Sequence, residues 1–446
     1  MDCRSISWAL AALACVPACF DPGVSGTTDE ASSSDTDGAS TSNGDVDTNV
    51  GDVSTTANTA DGETTASSDQ ADTADKDSSG AATDDEGSSG EDVLPECGDG
   101  IPVEGEVCFD DALAVSGGDV VYSPRLLDTN DDGNVDLVYL ITDQIVVRLG
   151  TGEGDFGVEL PDETVFSQQM EAADLDGDDI PDLVLLEPFT EQLDVALSNG
   201  SSSFALQNLP LFSGGDPRAL AVADLDDNDV ADVVSISGAG SDVRIFLANG
   251  AGSLTQEDSL SIGAFGREIA IGDFSGDDTP DVVYTVQSDS DQVRMRLGDG
   301  TGSLGSELDI SVASTDALGL GVGDFNGDGD DDLAIANGID VLAMLGTGAA
   351  GFEGAVMLAT AGYANYVESA DVTNDGLDDL IVSHSDVAVL SIFPSSGDGS
   401  FGDRVDITIG TTVDSLALGD ANLDGIMDIV VGSQDDELVT VVLSTP

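Results

Sequence analysis

Apolar residues are distributed unevenly along the chain. They form one run from Ile6 to Val16, thin to scattered Ala and Val between Asp21 and Asp92, and return after Phe109 as many short runs. The later runs, such as Ala219 to Ala223, Asp232 to Ile236 and Val243 to Leu247, are rich in Val, Ile and Leu and bounded by Gly, Asn and Asp. Short β-branched runs with such punctuation predict strands, and no helical period of comparable length competes. The runs also recur in a fixed order. One precedes an Asp-rich loop, one leaves it, a third meets a Gly-rich turn such as Asn249-Gly250-Ala251-Gly252, and a weaker fourth leads onward.

The Asp-rich loop sets the period. Seven copies of a nine-residue pattern begin at Asp128, Asp174, Asp224, Asp273, Asp324, Asp371 and Asp420, at intervals of 46, 50, 49, 51, 47 and 49 residues. Four short strands in each unit of this length predict a β-propeller blade. The expected fold is therefore all-β: a seven-bladed propeller over residues 109–446. The seventh unit ends after Leu438 to Leu443 and lacks an outermost strand. The run Asp111 to Val115 is expected to supply it, closing the ring and covering a sheet edge.

Each loop carries oxygen at positions 1, 3, 5 and 9. The sets are Asp128, Asn130, Asp132, Asp136; Asp174, Asp176, Asp178, Asp182; and Asp224, Asp226, Asn228, Asp232. They continue as Asp273, Ser275, Asp277, Asp281; Asp324, Asn326, Asp328, Asp332; Asp371, Thr373, Asp375, Asp379; and Asp420, Asn422, Asp424, Asp428. Alternate side chains in a tight loop converge on one point, and position 7 can add a backbone carbonyl. Oxygen-only ligation with several carboxylates suits Ca²⁺. The fifth copy, with Asp330 added, is the densest set. An EF-hand is rejected, because position 12 is apolar (Tyr139, Leu185) and strands flank the loop. Recurrence in every unit favours a structural cation over one that bridges a ligand.

Charge and composition narrow the function. The net charge is 10 − 89 = −79, which excludes sequence-independent nucleic-acid binding and docking on an anionic membrane through a basic patch. His384 is the only histidine and follows an apolar run, so it reads as a packed residue rather than a catalytic base. Gly150-Thr151-Gly152 and Gly298-Asp299-Gly300 lack a following helix and read as turns, not phosphate cradles. Arg294 and Arg296 alternate on one strand face and are expected to pair with nearby acids. Carboxylates are too numerous to single out a glycosidase pair. The only Trp, Trp8, lies in the first apolar run, which weakens sugar stacking.

Residues 1–19 have the length and texture of an export signal. Cys19 after Val16-Pro17-Ala18, or alternatively Cys15 after Ala12-Leu13-Ala14, resembles the lipidated cysteine of a bacterial lipoprotein; simple cleavage remains open. Residues 20–93 are mostly Ser, Thr, Asp, Ala, Gly and Glu with one basic residue, Lys76, and are expected to be a disordered tether spanning roughly 45–50 Å. Residues 94–108 hold Cys97-Gly98-Asp99-Gly100 and Gly105-Glu106-Val107-Cys108, which resemble short Cys-rich repeats of secreted myxobacterial and some eukaryotic proteins. In an oxidising compartment Cys97 and Cys108 are expected to pair.

The seven repeats resemble FG-GAP/VCBS repeats, the blades of integrin α-subunits and of many bacterial surface proteins. That resemblance implies calcium in the first inter-strand loop of each blade, and extracellular adhesion or recognition. Three departures stand out. Ser275 and Thr373 lower the ligand charge of two copies, and Asp179, Asp229 and Asp278 replace the usual Gly at position 6. The Phe-Gly hallmark survives at Phe156-Gly157 and Phe401-Gly402. The expected protein is a non-enzymatic, monomeric recognition module outside the cytoplasm, tethered to the outer membrane only by lipid, with a protein or polysaccharide partner. A propeller lyase or hydrolase and a ligand-free envelope protein are the alternatives.

Overall fold

A computed structural model describes residues 107–110, 112–187, 192–209, 216–287, 292–310, 312 and 316–445. The signal-like stretch with Cys15 and Cys19, the linker and Cys97 lie outside the described residues; Cys108 is disulfide-bonded. The described residues form 26 strands and no helix.

The third repeat shows why the sequence signals have unequal strength. Its strands Pro217–Ala223, Asp232–Ser237, Asp242–Ala248 and Leu254–Ser261 pair antiparallel in chain order. The first three are buried on both faces and read as continuous apolar runs, whereas Leu254–Ser261 is mostly exposed and polar. In all seven repeats the motif is the loop between the first two strands, and its last Asp opens the second strand.

The first strands of the repeats line the axis. Tyr122–Leu127, Gln169–Ala173, Pro217–Ala223, Phe265–Gly272, Leu320–Gly323, the end of Phe352–Ala370 and Ser415–Gly419 each touch the next, and the last touches the first. Seven apolar clusters fill the spaces between successive repeats. One joins Ala221, Ile236 and Ile245 to Ile271, Val282 and Tyr284; another closes the ring by joining Val430, Val439 and Val441 to Leu137, Tyr139 and Val146. The closing strand is the expected one. Leu113–Ser116 pairs antiparallel with Leu438–Val442, from Leu113↔Val441 to Ser116↔Leu438.

One expectation is corrected. Backbone pairing gives six sheets rather than seven separate blades: five of four strands and one of six. The fifth and sixth repeats share the large sheet, through strands Asp332–Gly346 and Phe352–Ala370 of 15 and 19 residues. The chain turns tightly at Asn337-Gly338-Ile339, within the fifth repeat. Gly338, at φ 71°, also pairs with Ala364 of the following repeat. Extended backbone therefore runs unbroken past the point where a blade boundary was expected.

Candidate cation loops

Every loop is built on the same hydrogen bonds. The first Asp turns its carboxylate into the loop, where it accepts the position-6 N–H at 2.7–2.9 Å in all seven copies. Position 6 takes left-handed φ throughout, from 63° at Asp229 to 91° at Gly425. The Asp residues that replace Gly at positions 179, 229 and 278 thus adopt the same turn at a steric cost. Position 5 accepts the N–H two residues on, at 2.8–3.1 Å, and closes the turn.

The ninth residue is a buckle. Asp136, Asp182, Asp232, Asp281, Asp332, Asp379 and Asp428 are fully buried. One oxygen of each accepts the N–H at the far end of the third strand, from Gly150, Ser198, Ala248, Gly298, Gly346, Ser395 and Ser444, at 2.6–2.8 Å. In six copies the other oxygen accepts the position-2 N–H. Burial outweighs these bonds in setting the acidity. It pushes Asp182, Asp232, Asp281 and Asp428 up to about 6, and Asp332 and Asp379 to about 7.

Position 3 differs from the rest. Buried oxygens of Asn130, Asp176 and Asp226 have no hydrogen-bond partner. In the second and third copies the carboxylates of Asp174, Asp176 and Asp182, and of Asp224, Asp226 and Asp232, come within 4.8 Å of one another. Unanswered oxygen among converging carboxylates fits a hard cation such as Ca²⁺. Positions 1, 3 and 9 meet there, while position 5 belongs to the turn. Among the described residues no such convergent acidic set forms in the fifth copy, expected to be the densest with Asp330, where Asn326 stands at position 3.

Asp331 and its counterpart Asp378 escaped the sequence reading. Asp331 accepts the N–H of Asp273 at 2.6 Å, and Asp378 accepts that of Asp324 at 2.9 Å, so loops four, five and six are linked in series. The signal was an Asp at position 8, where other copies carry Val135, Pro181, Ala231, Pro280 and Met427. The Gly-rich turns also reach back one repeat. Gly252 N–H bonds the Leu175 carbonyl at 3.0 Å, and Gly302 N–H that of Leu225 at 2.8 Å.

The remaining candidates are structural. His384 is fully buried, with Nδ1 donating to the Val389 carbonyl at 2.8 Å. Arg294 and Arg296 bind Glu307 at 3.1 and 3.4 Å.

Comparison with known proteins agrees with this architecture. The family model described as FG-GAP-like repeat matches residues 324–382 and 371–431. No curated protein sequence matches the chain. Among solved structures, BBS1N in complex with ARL6DN is similar at 15% identity and TM-score 0.54, over 75% of this chain and 96% of that one. An Agrocybe aegerita lectin, solved for its recognition of non-reducing terminal N-acetylglucosamine, aligns at 18% identity and TM-score 0.49, over 67% and 81%. Loops, strands and comparisons together give a β-propeller that carries FG-GAP-like repeats.

Proposed function

We propose that this protein is a calcium-stabilised, non-catalytic recognition or scaffold propeller, exported and held at the cell envelope. The fifth and sixth repeats count as two of seven blades that share one sheet. The observation that carries the calcium reading is the unpartnered position-3 oxygen of Asn130, Asp176 and Asp226. Positions 1, 3 and 9 would hold the ion, and its charge would offset carboxylates that otherwise repel at close range. The apolar run before Cys19, the polar tether and the disulfide at Cys108 support export and lipid anchoring. A chain of formal net charge −79 favours a cationic or calcium-bridged protein partner over nucleic acid.

Calorimetry of the protein in Ca²⁺ and in excess EDTA tests the metal. A melting temperature that does not respond to Ca²⁺ would remove calcium from this reading. Mass spectrometry of the mature N-terminus tests the anchor, with a lipidated Cys19 expected and an intact Met1 fatal to export. Pull-down from extracellular material with and without Ca²⁺ tests recognition.

A further inference from the structure

Asn-Gly pairs begin at Asn43, Asn199, Asn249, Asn326 and Asn337. The pair Asn326-Gly327 fills positions 3 and 4 of the fifth loop. The other loops carry Asn130-Asp131, Asp176-Gly177, Asp226-Asp227, Ser275-Gly276, Thr373-Asn374 and Asn422-Leu423 there. The fifth loop alone combines a side-chain amide at position 3 with an unhindered glycine nitrogen after it. An asparagine Cγ and the next backbone nitrogen are already joined through one residue. Closing them into a five-membered succinimide therefore needs no distant group, only a proton acceptor, a donor for the developing oxyanion and access for water.

The fifth loop supplies all three. Gly327 N–H donates to Asp324 Oδ1 at 2.7 Å, which puts a carboxylate within reach of the proton the nitrogen must lose. Asn326 Oδ1 accepts the Asp328 N–H at 2.9 Å, so a fixed backbone donor meets the oxygen on which charge develops. Gly327, Asp328 and Gly329 are exposed, which opens the loop to water. The pair at Asn199 provides an internal contrast. Its Oδ1 is met in the same way, by the Ser201 N–H at 2.9 Å, but Gly200 N–H donates to a hydroxyl, Ser198 Oγ, at 3.3 Å.

The geometry points to Asn326 as a self-deamidating residue whose product, aspartate, completes the acidic set of the fifth loop. Gly327 nitrogen attacks Asn326 Cγ and its proton passes to Asp324. That proton leaves with Nδ2 as ammonia, and the succinimide remains. Water then opens the ring at Cγ: its hydroxyl stays on Cγ, the Cγ–N bond breaks, and its other hydrogen returns to the Gly327 nitrogen. The net change is amide plus water to carboxylic acid plus ammonia. Asp324 also accepts the N–H groups of Asn326, Asp328 and Gly329 at 3.3, 3.2 and 2.9 Å, which hold the main chain on its course. Opening at the main-chain carbonyl would add a carbon to that course and is the minor route. Aspartate at position 326 gives this loop the three Asp at positions 1, 3 and 9 whose carboxylates lie within 4.8 Å of one another in the second and third loops. A gain in cation affinity rests on the calcium reading; the modification does not.

The test is peptide mass spectrometry, with isoaspartate scoring, of full-length protein aged in EDTA at neutral pH. The Asn326 peptide should convert at least about tenfold faster than the Asn199 peptide, and mainly to normal aspartate. In denatured protein the two should convert at comparable rates. Asp324→Asn keeps an oxygen for the loop N–H groups but no base, and should slow Asn326 by about tenfold while leaving Asn199 unchanged. Conversion of Asn326 no faster than Asn199 in the folded protein would overturn the proposal, as would a product that is mainly isoaspartate. The folded and denatured wild-type protein decide it should Asp324→Asn fail to fold. Calcium titration of Asn326→Asp against Asn326→Ser reads the consequence, with tighter binding expected for Asn326→Asp. Equal binding would remove calcium from the fifth loop and leave the deamidation standing.

Discussion

Arg296 donates through Nε to the Tyr284 hydroxyl at 3.2 Å, and that hydroxyl donates onward to Glu307 at 2.7 Å. The same guanidinium reaches the Gly305 carbonyl at 2.8 Å and the Ser261 carbonyl at 3.3 Å, the latter on the last strand of the preceding repeat. Arg148 repeats the arrangement with Tyr139 at 3.1 Å, Gly157 at 3.1 Å and Ser116 at 2.8 Å. A planar fork on a tyrosine thus staples one repeat to the one before it. Lysine cannot occupy four acceptors in a plane. Arg296→Lys should cost about 1–3 kcal/mol in denaturant unfolding, and Tyr284→Phe about 1 kcal/mol. Equal stability of Arg296→Lys and wild type would show the staple to be idle.

The motif positions should separate by substitution. Asp182→Ala removes the acceptor for the Ser198 and Leu175 N–H groups, so it should lower stability by about 2–5 kcal/mol even in EDTA. Asp176→Ala removes one oxygen without a partner and an acceptor for the Asp178 N–H, so in EDTA it should cost about 1 kcal/mol at most. It should instead erase the increment that calcium gives its own site, about 2.7 kcal/mol at 100 times Kd. Calorimetry of both variants with and without Ca²⁺ reads the split. A loss in EDTA for Asp176→Ala as large as that for Asp182→Ala would refute it.

Leu423 sits at φ 60° in the fourth position of the seventh loop, half exposed. A left-handed leucine costs roughly 1–2 kcal/mol, part of which glycine returns as unfolded-state entropy. Leu423→Gly should therefore raise stability by about 0.5–1 kcal/mol. A lower thermal midpoint would mean that the Leu423 side chain has a contact worth more than its strain.

Burial holds His384 below its ordinary value, against the Val389 carbonyl and Asp386 and Asp406, which raise it, and with Arg404, which lowers it. A depressed histidine contributes stability that is fully present above about 6.5 and is lost as pH falls through its folded value. His384→Asn should flatten the stability profile between about pH 7 and 5 relative to wild type. NMR of this single imidazole gives the titration directly, and a midpoint at or above 6.5 would reverse the sign.

Strands and closure were legible because each unit repeats its punctuation, and because the run near Leu113 had no other place to pair. Asn337-Gly338 was not legible as a join between blades, since the dipeptide reads as a turn and nothing local reveals that Gly338 reaches Ala364. The sequence treats the loop oxygens as equivalent. Folding divides them, because Asp182 opens a buried strand and accepts N–H groups from two other strands' ends, while one oxygen of Asp176 is left without a partner among neighbouring carboxylates. Glu171, Glu268 and Glu368 were hidden for another reason: in an alternating strand, a charge that folding encloses looks the same as one facing water.

The strand that closes the ring is also the chain's only way out toward its N-terminus. Any pull on the residues before Val107 is carried first by the Phe109–Ser444 bridge and then by the four residue pairs from Leu113↔Val441 to Ser116↔Leu438. Its backbone pairs only with Leu438–Val442 among the described residues, and one further hydrogen bond reaches it, from Arg148 to the Ser116 carbonyl. Under tension the propeller would therefore yield first at its own clasp. The same segment that makes the ring continuous sets the load at which it opens.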